Sequence, residues 1–220
     1  VYTCASGISP SGEVHMGNLR EVVTTWFVVK ALRDRGKKVR FIFSWDNYDR
    51  LRKVPADLDQ DLNKYVGMPL DKIPDPFGCH GTWAKHFQQP FIDALAELGV
   101  EVEHLFQADR YTSGLYADKM IEAVEKRKQV YDVLMSFKTQ EANDADRDAF
   151  YPVQIYCDHC GKDTTHITAD HENGAVLDYE CKCGHKGSLD LRTQHNAKLM
   201  WKVDWPMRWT FEGVNFEPGG

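Results

Sequence analysis

The sequence predicts an α/β fold built on a parallel sheet. Residues 2–8 and 38–45 are compatible with β-strands, and the second stretch is rich in β-branched and aromatic residues. Between them, apolar residues recur at helical spacing over 15–35, and Gly36 follows where a helix end favours glycine. Strand, helix and strand in this order form a βαβ unit, whose right-handed crossover makes the two strands parallel.

The alternation of helix and strand continues beyond this unit. A loop-rich stretch is followed by a predicted helix over 83–98, a strand over 100–107 and one long amphipathic helix over 114–137. From Tyr151 the pattern changes to short strand-like pieces around cysteine pairs, with E-N-G at 172–174 as a hairpin turn. We predict an α/β domain over 1–150, an inserted module over 151–192 and a return to the first domain over 193–220.

Composition bounds the class of protein. No apolar run reaches the roughly 20 residues that a membrane span needs, and no signal peptide opens the chain, so we expect a soluble, cytoplasmic protein. The net charge of −6 argues against a nucleic-acid surface spread over the whole molecule. Basic clusters at 33–40, 50–53 and 126–128 are interpreted as solvated helix ends and loops.

The loop after the first strand has the features of a nucleotide site. It lies at the carboxyl edge of the predicted sheet, where ligands of such sheets bind, and glycines there let a ligand approach the backbone. His15 and Asn18 are three residues apart at the start of the next helix, so both can donate hydrogen bonds to phosphates there. The loop matches neither the P-loop nor G-x-G-x-x-G. The alternative is a Gly/Pro loop before a polar helix start.

Two groups of residues have the composition of metal sites. Cys157 and Cys160 form C-x2-C, and Cys181 and Cys183 form C-x-C, which is typical of a tetrahedral zinc site in a small module. Because the C-x-C spacing is tight, His185 is an alternative fourth ligand in place of Cys181 or Cys183. The other interpretation is that all four cysteines are reduced and bind no metal. The second group comprises Asp75, Cys79, His80 and His86. Their side-chain types suit zinc, but their spacing is uncommon, and the alternative interpretation is an ordinary surface loop.

Four segments together carry a family resemblance. The stretch PSGEVHMGN resembles the HIGH motif of class I aminoacyl-tRNA synthetases, with Pro10 five residues before His15. With WDNYDRLRKVP, DPFGCH and WKVDWPMRW, it resembles the catalytic domain of class I lysyl-tRNA synthetases from about Thr3 to the end of the chain. The resemblance implies a Rossmann-like nucleotide-binding domain with an inserted zinc ribbon. It also implies a second zinc at the Asp75 group, as in archaeal-type members.

The resemblance implies substrates and residue roles. Lysine and ATP with Mg²⁺ would form lysyl-adenylate, and the lysyl group would pass to tRNA(Lys). His15 would stabilise phosphate charge, Asn18 stands where the motif has its second histidine, and Gly17 would leave room for adenine. The remaining nucleotide contacts would come from the loop, at Ser9, Pro10 and Gly12.

Lysine selection needs groups that suit an ammonium ion. The resemblance implies that Gly7, Ser9 and Trp201 hold the amino acid. From charge alone we add Asp46 and Asp49, because they follow the second predicted strand at the same sheet edge as the glycine loop. Asn47 stands where the family more often has an acidic residue.

The family also has parts that this sequence does not show. There is no KMSKS motif and no helical anticodon-binding region, so we expect a catalytic portion with weak or no aminoacylation by itself. Two other functions stay open at this point. One is a paralogue that adenylates an amino acid for an acceptor other than tRNA, and the other is a non-catalytic zinc-ribbon module that binds nucleic acid.

Overall fold

The computed structural model describes residues 1–139 and 143–218. The helices and strands follow in this order: β1 (Tyr2–Ile8), α1 (Met16–Asp34), β2 (Val39–Trp45), α2 (Trp83–Glu97), β3 (Glu103–Phe106), α3 (Gln107–Thr112), α4 (Ala117–Glu125), α5 (Arg127–Ser136), α6 (Asp144–Ala149), β4 (Val153–Ile155), β5 (Thr165–His171), β6 (Val176–Cys181), β7 (Lys186–Asp190), β8 (Ala197–Leu199) and α7 (Trp201–Glu212). Short 3₁₀ helices lie at Gln60–Tyr65 and Leu70–Lys72. None of the helices in the described part of the chain has the length and apolar character needed to cross a bilayer.

The chain divides into two compact units. The first comprises Val1–Asp109 and Arg208–Gly220, and the second Arg110–Met207. The first unit contains a parallel sheet in the order β1-β2-β3, in which Tyr2 pairs with Val39 and Ile8 with Trp45. Buried residues of β1, α1 and β2 share one hydrophobic core with residues of α2. The predicted α/β fold with a parallel sheet is therefore confirmed.

The free side of β1 also has a parallel neighbour. After α7, the chain returns beside β1, where Cys4 and Phe216 form a parallel bridge. The backbone N–H of Ala5 donates to the Phe216 oxygen at 2.8 Å, and that of Asn215 donates to the Thr3 oxygen at 2.8 Å. The order in which strands are added to the sheet therefore changes side at β1, with β2 on one side and the segment after α7 on the other. Ligands of doubly wound sheets bind at such a switch point, outside the carboxyl ends of the strands.

The second unit contains small antiparallel sheets. Strands β5, β6 and β7 form one sheet, and β4 pairs with β8. The turn between β5 and β6 has positive φ at Glu172, Asn173 and Gly174, so the predicted hairpin turn is confirmed. The unit also includes α4, α5 and α6. Its limits differ from those of the predicted inserted module at 151–192, which stay a prediction.

One predicted helix is wrong in extent. The stretch 114–137 was expected to be one continuous helix. It contains two helices, and Lys126 is both the C-cap of α4 and the N-cap of α5. Neither glycine nor proline marks this break in the sequence. The hairpin turn at Gly174 packs there against Val124 and the Glu125 backbone. A tertiary contact of this kind leaves no local sequence signal.

Candidate functional site

The amino end of α1 lies next to the switch point and has a reciprocal cap. His15 is the N-cap residue, and its Nδ1 accepts a hydrogen bond from the Gly17 N–H at 3.1 Å. In return, the Oδ1 of Asn18 accepts from the His15 N–H at 3.1 Å. Each side chain thus satisfies a backbone donor that the first turn of a helix leaves without an intrahelical partner.

The cap also fixes which atoms of these side chains face a ligand. A neutral imidazole that accepts at Nδ1 carries its proton at Nε2, so His15 presents an N–H donor. Asn18 uses its carbonyl oxygen in the cap and keeps its amide hydrogens for other partners. His15 is exposed and Asn18 is half-buried, so both are accessible. The arrangement provides two donors beside a positive helix end, as an anion requires.

Gly17 is required by the histidine ring. A Cβ at this position would lie 2.8 Å from Cε1 and 3.0 Å from Nδ1 of His15. Those distances are shorter than non-bonded carbon contacts allow. Any side chain at position 17 would therefore move the imidazole.

A cavity of about 510 Å³ opens in front of this helix start. Its wall includes Ser9, Gly12, His15 and Asn18 from the predicted nucleotide loop and helix. The volume lies within the range of small-molecule sites. The structure therefore brings most of the predicted nucleotide-binding residues to one cavity.

The loop that borders the cavity is anchored by neighbouring residues. The indole Nε1 of Trp83 donates to the Ser11 oxygen at 3.2 Å, and Pro10 is buried. The Ser9 hydroxyl is 3.5 Å from the backbone carbonyl oxygen of Asp46. A Cβ at Gly12 would meet only Pro55, at 3.9 Å, so Gly12 leaves open space beside the loop.

Gly7 has a packing role within the sheet. A Cβ there would lie 2.6 Å from the backbone oxygen of Ser44, its partner in β2. The Oε1 of Glu21 in α1 accepts from the Gly7 N–H at 3.3 Å and from the Ser6 hydroxyl at 3.0 Å. Glu21 was not predictable as a partner of this strand, because a carboxylate on a helix has no local pattern that shows it will contact a preceding strand.

The residues predicted to hold lysine have different surroundings. Asp46 is buried, and its Oδ1 accepts from Nη1 of Arg208 at 2.7 Å. Asp49 is half-buried and lines the cavity of about 510 Å³. Trp201 belongs to the second unit, is 58% exposed and packs edge-on against Trp205 with ring centres 6.1 Å apart. Of the two aspartates, only Asp49 is part of the cavity wall.

The four cysteines of the second unit form one cluster. Their sulfur atoms all lie within 4.8 Å of one another, with Cys157 and Cys183 3.8 Å apart and Cys160 and Cys181 3.7 Å apart. Four sulfurs at the Zn–S distance of about 2.3 Å from a tetrahedral ion are about 3.8 Å apart. The spacing fits zinc. His185 is not among the four residues of this group, and its ring stacks on that of His159.

Two similar turns build this cysteine cluster. Gly161 and Gly184 directly follow the second cysteine of each pair, with φ of 72° and 91°. The N–H of Gly161 donates to the Cys157 oxygen at 2.8 Å, and that of Gly184 donates to the Cys181 oxygen at 2.9 Å. Glycine is needed at both positions because a side chain disfavours these angles.

The thiols of the cysteine cluster have perturbed acidity. Burial and then the neighbouring thiols raise the pKa of Cys160 to about 12. Burial alone would raise the pKa of Cys181, but hydrogen bonds from the Cys183 N–H and the Thr164 hydroxyl, among others, lower it to about 6. A cation at the centre would favour the thiolate form of all four, since metals bind thiolates.

The Asp75 cluster is formed by a short loop before α2 and by His86 near the start of α2. Ligand atoms of Asp75, Cys79, His80 and His86 lie within 4.8 Å of one another. The Cys79 sulfur is 3.0 Å from Nδ1 of His80 and 3.3 Å from Nδ1 of His86, which is itself 3.2 Å from Asp75. Mixed S, N and O ligands at these separations fit a tetrahedral zinc ion.

The fold and the site together define a class of protein. A parallel sheet, a switch point beside β1 and a capped helix start with exposed donors are the arrangement found in nucleotide-binding α/β domains. The profile of the family described as tRNA synthetases class I (K) matches residues 1–220. The chain belongs to this family.

Curated relatives agree with the family match. The chain is 41% identical over 219 residues to a lysine–tRNA ligase of Pyrococcus horikoshii and 40% identical over 221 residues to one of Treponema pallidum. Each alignment covers 100% of this chain and 41% of the relative. A lysine–tRNA ligase of Streptomyces coelicolor is 39% identical over 248 residues, covering 98% of this chain and 43% of the relative. The chain spans about two fifths of the length of these relatives.

Proposed function

We propose that this chain is a catalytic portion of a class I lysine–tRNA ligase, which acts in the cytoplasm. It would activate L-lysine with ATP to lysyl-adenylate and take part in transfer of the lysyl group to tRNA(Lys). The observation that carries the proposal is the donor pair of His15 and Asn18, held by their reciprocal cap at the switch point of the sheet. The similarity to lysine–tRNA ligases over the whole chain supports lysine as the amino acid.

The geometry suits adenylate formation. An oxygen of the lysine carboxylate attacks the α-phosphorus of ATP, and the bond to the β-phosphate oxygen breaks with its electron pair going to pyrophosphate. Negative charge on the phosphate oxygens is then met by Nε2–H of His15, the Asn18 amide and the amino end of α1. Mg²⁺ bound with ATP would supply further neutralisation of the phosphates. Since the donors are already oriented by the cap, they need little rearrangement during the step.

Lysine would be selected beside the phosphate site. Asp49 lines the same cavity as His15, which supports pairing of its carboxylate with the lysine ammonium ion. Asp46 has Arg208 as a partner already, and a second cation would compete for it. Gly7, Ser9 and Trp201 stay predicted contacts that rest on the family resemblance.

The two metal clusters would each hold a structural zinc ion. Each offers four protein ligands, which leaves no open coordination position for a substrate. The three-stranded sheet beside the cysteine cluster is small, so a metal would supply much of its stability. The predicted inserted zinc module over 151–192 would have the cysteine cluster as its centre.

One assay tests the function directly. Full-length protein is assayed for exchange of radiolabelled pyrophosphate into ATP with each of the 20 amino acids, and exchange is expected with lysine alone. Charging of transcribed tRNA(Lys) then tests the acceptor. Exchange without charging would indicate another acceptor, and no exchange with any amino acid would contradict the proposal and leave a binding module.

A further inference from the structure

The basic segment at Arg50, Arg52 and Lys53 lies on the wall of the proposed nucleotide cavity. From its sequence the segment is interpreted as a solvated loop, but its cations line the same cavity of about 510 Å³ as His15 and Asn18. Two carboxylates, Glu13 and Asp49, also line the cavity, so the cations outnumber them. The position of this segment calls for a more specific role than solvation.

The packing of the segment explains why its cations face the cavity. Leu51 and Val54 are buried in a core cluster with residues that include Leu70 and Trp83, whereas Arg52 and Lys53 are exposed. The backbone is held as well, since the Leu51 N–H donates to the Met68 oxygen at 2.8 Å and the Leu51 oxygen accepts from Gly67 at 2.9 Å. The segment is therefore a fixed platform for the two cationic side chains.

Arg52 and Lys53 are available to a ligand. Within the described residues, neither side chain forms an ion pair. Cations on a cavity wall without carboxylate partners attract anions, and an arginine fork matches the oxygens of a phosphate. The polyphosphate of ATP is the anion that the proposed function brings to this cavity.

We propose that Arg52 and Lys53 bind the β- and γ-phosphates of ATP and, after adenylate formation, the pyrophosphate leaving group. This inference rests on the proposed function and assigns a subsite within it. The α-phosphate lies at the amino end of α1, beside the donors of His15 and Asn18, and the outer phosphates extend to the basic segment, which lines the same cavity. The negative charge that accumulates on pyrophosphate as the bond breaks is stabilised by these two cations.

The test compares ATP with AMP, because only ATP has the outer phosphates. Affinities are measured by titration calorimetry for the wild type and for Arg52→Ala/Lys53→Ala. Each lost charge-assisted contact is expected to weaken ATP binding roughly 10-fold, so the double variant loses about 100-fold, while AMP binding changes by less than about 2-fold. In exchange assays, the KM for pyrophosphate rises and the KM for lysine does not.

Two further variants separate a specific contact from a general charge effect. Lys37→Ala/Lys38→Ala removes the same charge from exposed residues before β2, at the opposite edge of the sheet, and is expected to leave the preference for ATP over AMP unchanged. Arg52→Lys/Lys53→Arg keeps the cations and is expected to retain most of the ATP affinity. All four substituted residues are exposed, so folding is little affected.

The outcomes are distinguishable from failure of the proposed function. An equal loss of ATP and AMP affinity, or an equal loss in the Lys37/Lys38 control, overturns the assignment of Arg52 and Lys53. Lysine-dependent exchange that persists in that case leaves the proposed function intact. Conversely, a selective loss of ATP affinity in protein that exchanges no amino acid supports the phosphate subsite and contradicts lysine activation.

Discussion

Arg208 and Asp46 form a buried ion pair that joins α7 to the carboxyl end of β2. Nη1 of Arg208 is 2.7 Å from Oδ1 of Asp46, and both side chains are less than 10% exposed. The same nitrogen is 2.7 Å from the hydroxyl of Ser44, which also accepts from Nε2 of Gln107 at 2.8 Å. The pair thus fixes the segment after β2 that leads into the wall of the proposed nucleotide cavity.

Removal of the arginine is expected to destabilise the first unit strongly. Arg208→Met leaves the Asp46 carboxylate buried without its counter-ion, which costs about 3–5 kcal/mol. Urea denaturation followed by circular dichroism measures the change. The double variant Arg208→Met/Asp46→Leu buries no charge and is expected to recover much of the loss. A single variant as stable as the wild type would contradict the role of this pair.

Asp49 is expected to determine the affinity for lysine. Asp49→Asn removes the charge from the cavity wall while keeping the shape, so the KM for lysine in pyrophosphate exchange should rise about 10-fold or more. Its stability should change little, because Asp49 is only half-buried. Asp46→Asn is the comparison variant, and its main expected effect is a loss of folding stability. A larger rise in the lysine KM for folded Asp46→Asn would assign the ammonium to Asp46 instead.

His15 variants separate helix capping from phosphate binding. His15→Ala removes both roles, so it should lose about 1 kcal/mol of stability from the cap and on the order of 10²-fold in the exchange rate. His15→Asn keeps an N-cap acceptor but places no imidazole N–H at the phosphate. It should retain the stability and still lose most of the activity. Wild-type exchange by either variant would remove His15 from the mechanism.

The zinc content should respond separately at the two clusters. Elemental analysis of freshly purified, reduced protein is expected to find two zinc ions per chain. Cys160→Ser should remove one ion and destabilise the second unit by more than about 4 kcal/mol, because a lost metal site is among the most damaging changes. Cys79→Ser should remove the other ion and leave the protection of β5–β7 from hydrogen exchange unchanged. Protein without zinc would contradict both sites.

His104 is expected to make stability depend on pH. Burial lowers the pKa of His104, whose Nδ1 accepts from Nε1 of Trp45 at 3.1 Å and must be neutral to do so. The unfolded chain therefore binds a proton more readily, and stability should fall as the pH drops below about 6.5. His104→Asn keeps an acceptor that does not titrate, so its denaturation midpoint should fall less between pH 7 and 5.5. Equal pH dependence of both proteins would contradict this.

Parts of the candidate site were predictable where the residues that act together lie close to one another in the sequence. His15 and Asn18 could be placed on one helical turn because three-residue spacing fixes their separation. The Cys157/Cys160 and Cys181/Cys183 pairs, each beside a glycine, likewise indicated metal-binding turns. Arg208 was not predictable in this way, because it lies among three tryptophans and its partner Asp46 is 162 residues away.

The sequence alone determined the local order of this protein: the βαβ start, the glycine loop, the helix that begins at His15, the turn at Gly174 and the pairing of the candidate metal ligands. These features depend on period, backbone preference and short spacing, all of which act within a few residues. Tertiary structure alone decided the break at Lys126, the burial of Asp46 with Arg208, and the position of Arg52 and Lys53 on the wall of the same cavity as His15. Each of these depends on which distant segment packs alongside, and the free energy of that packing comes from contacts that no local pattern records.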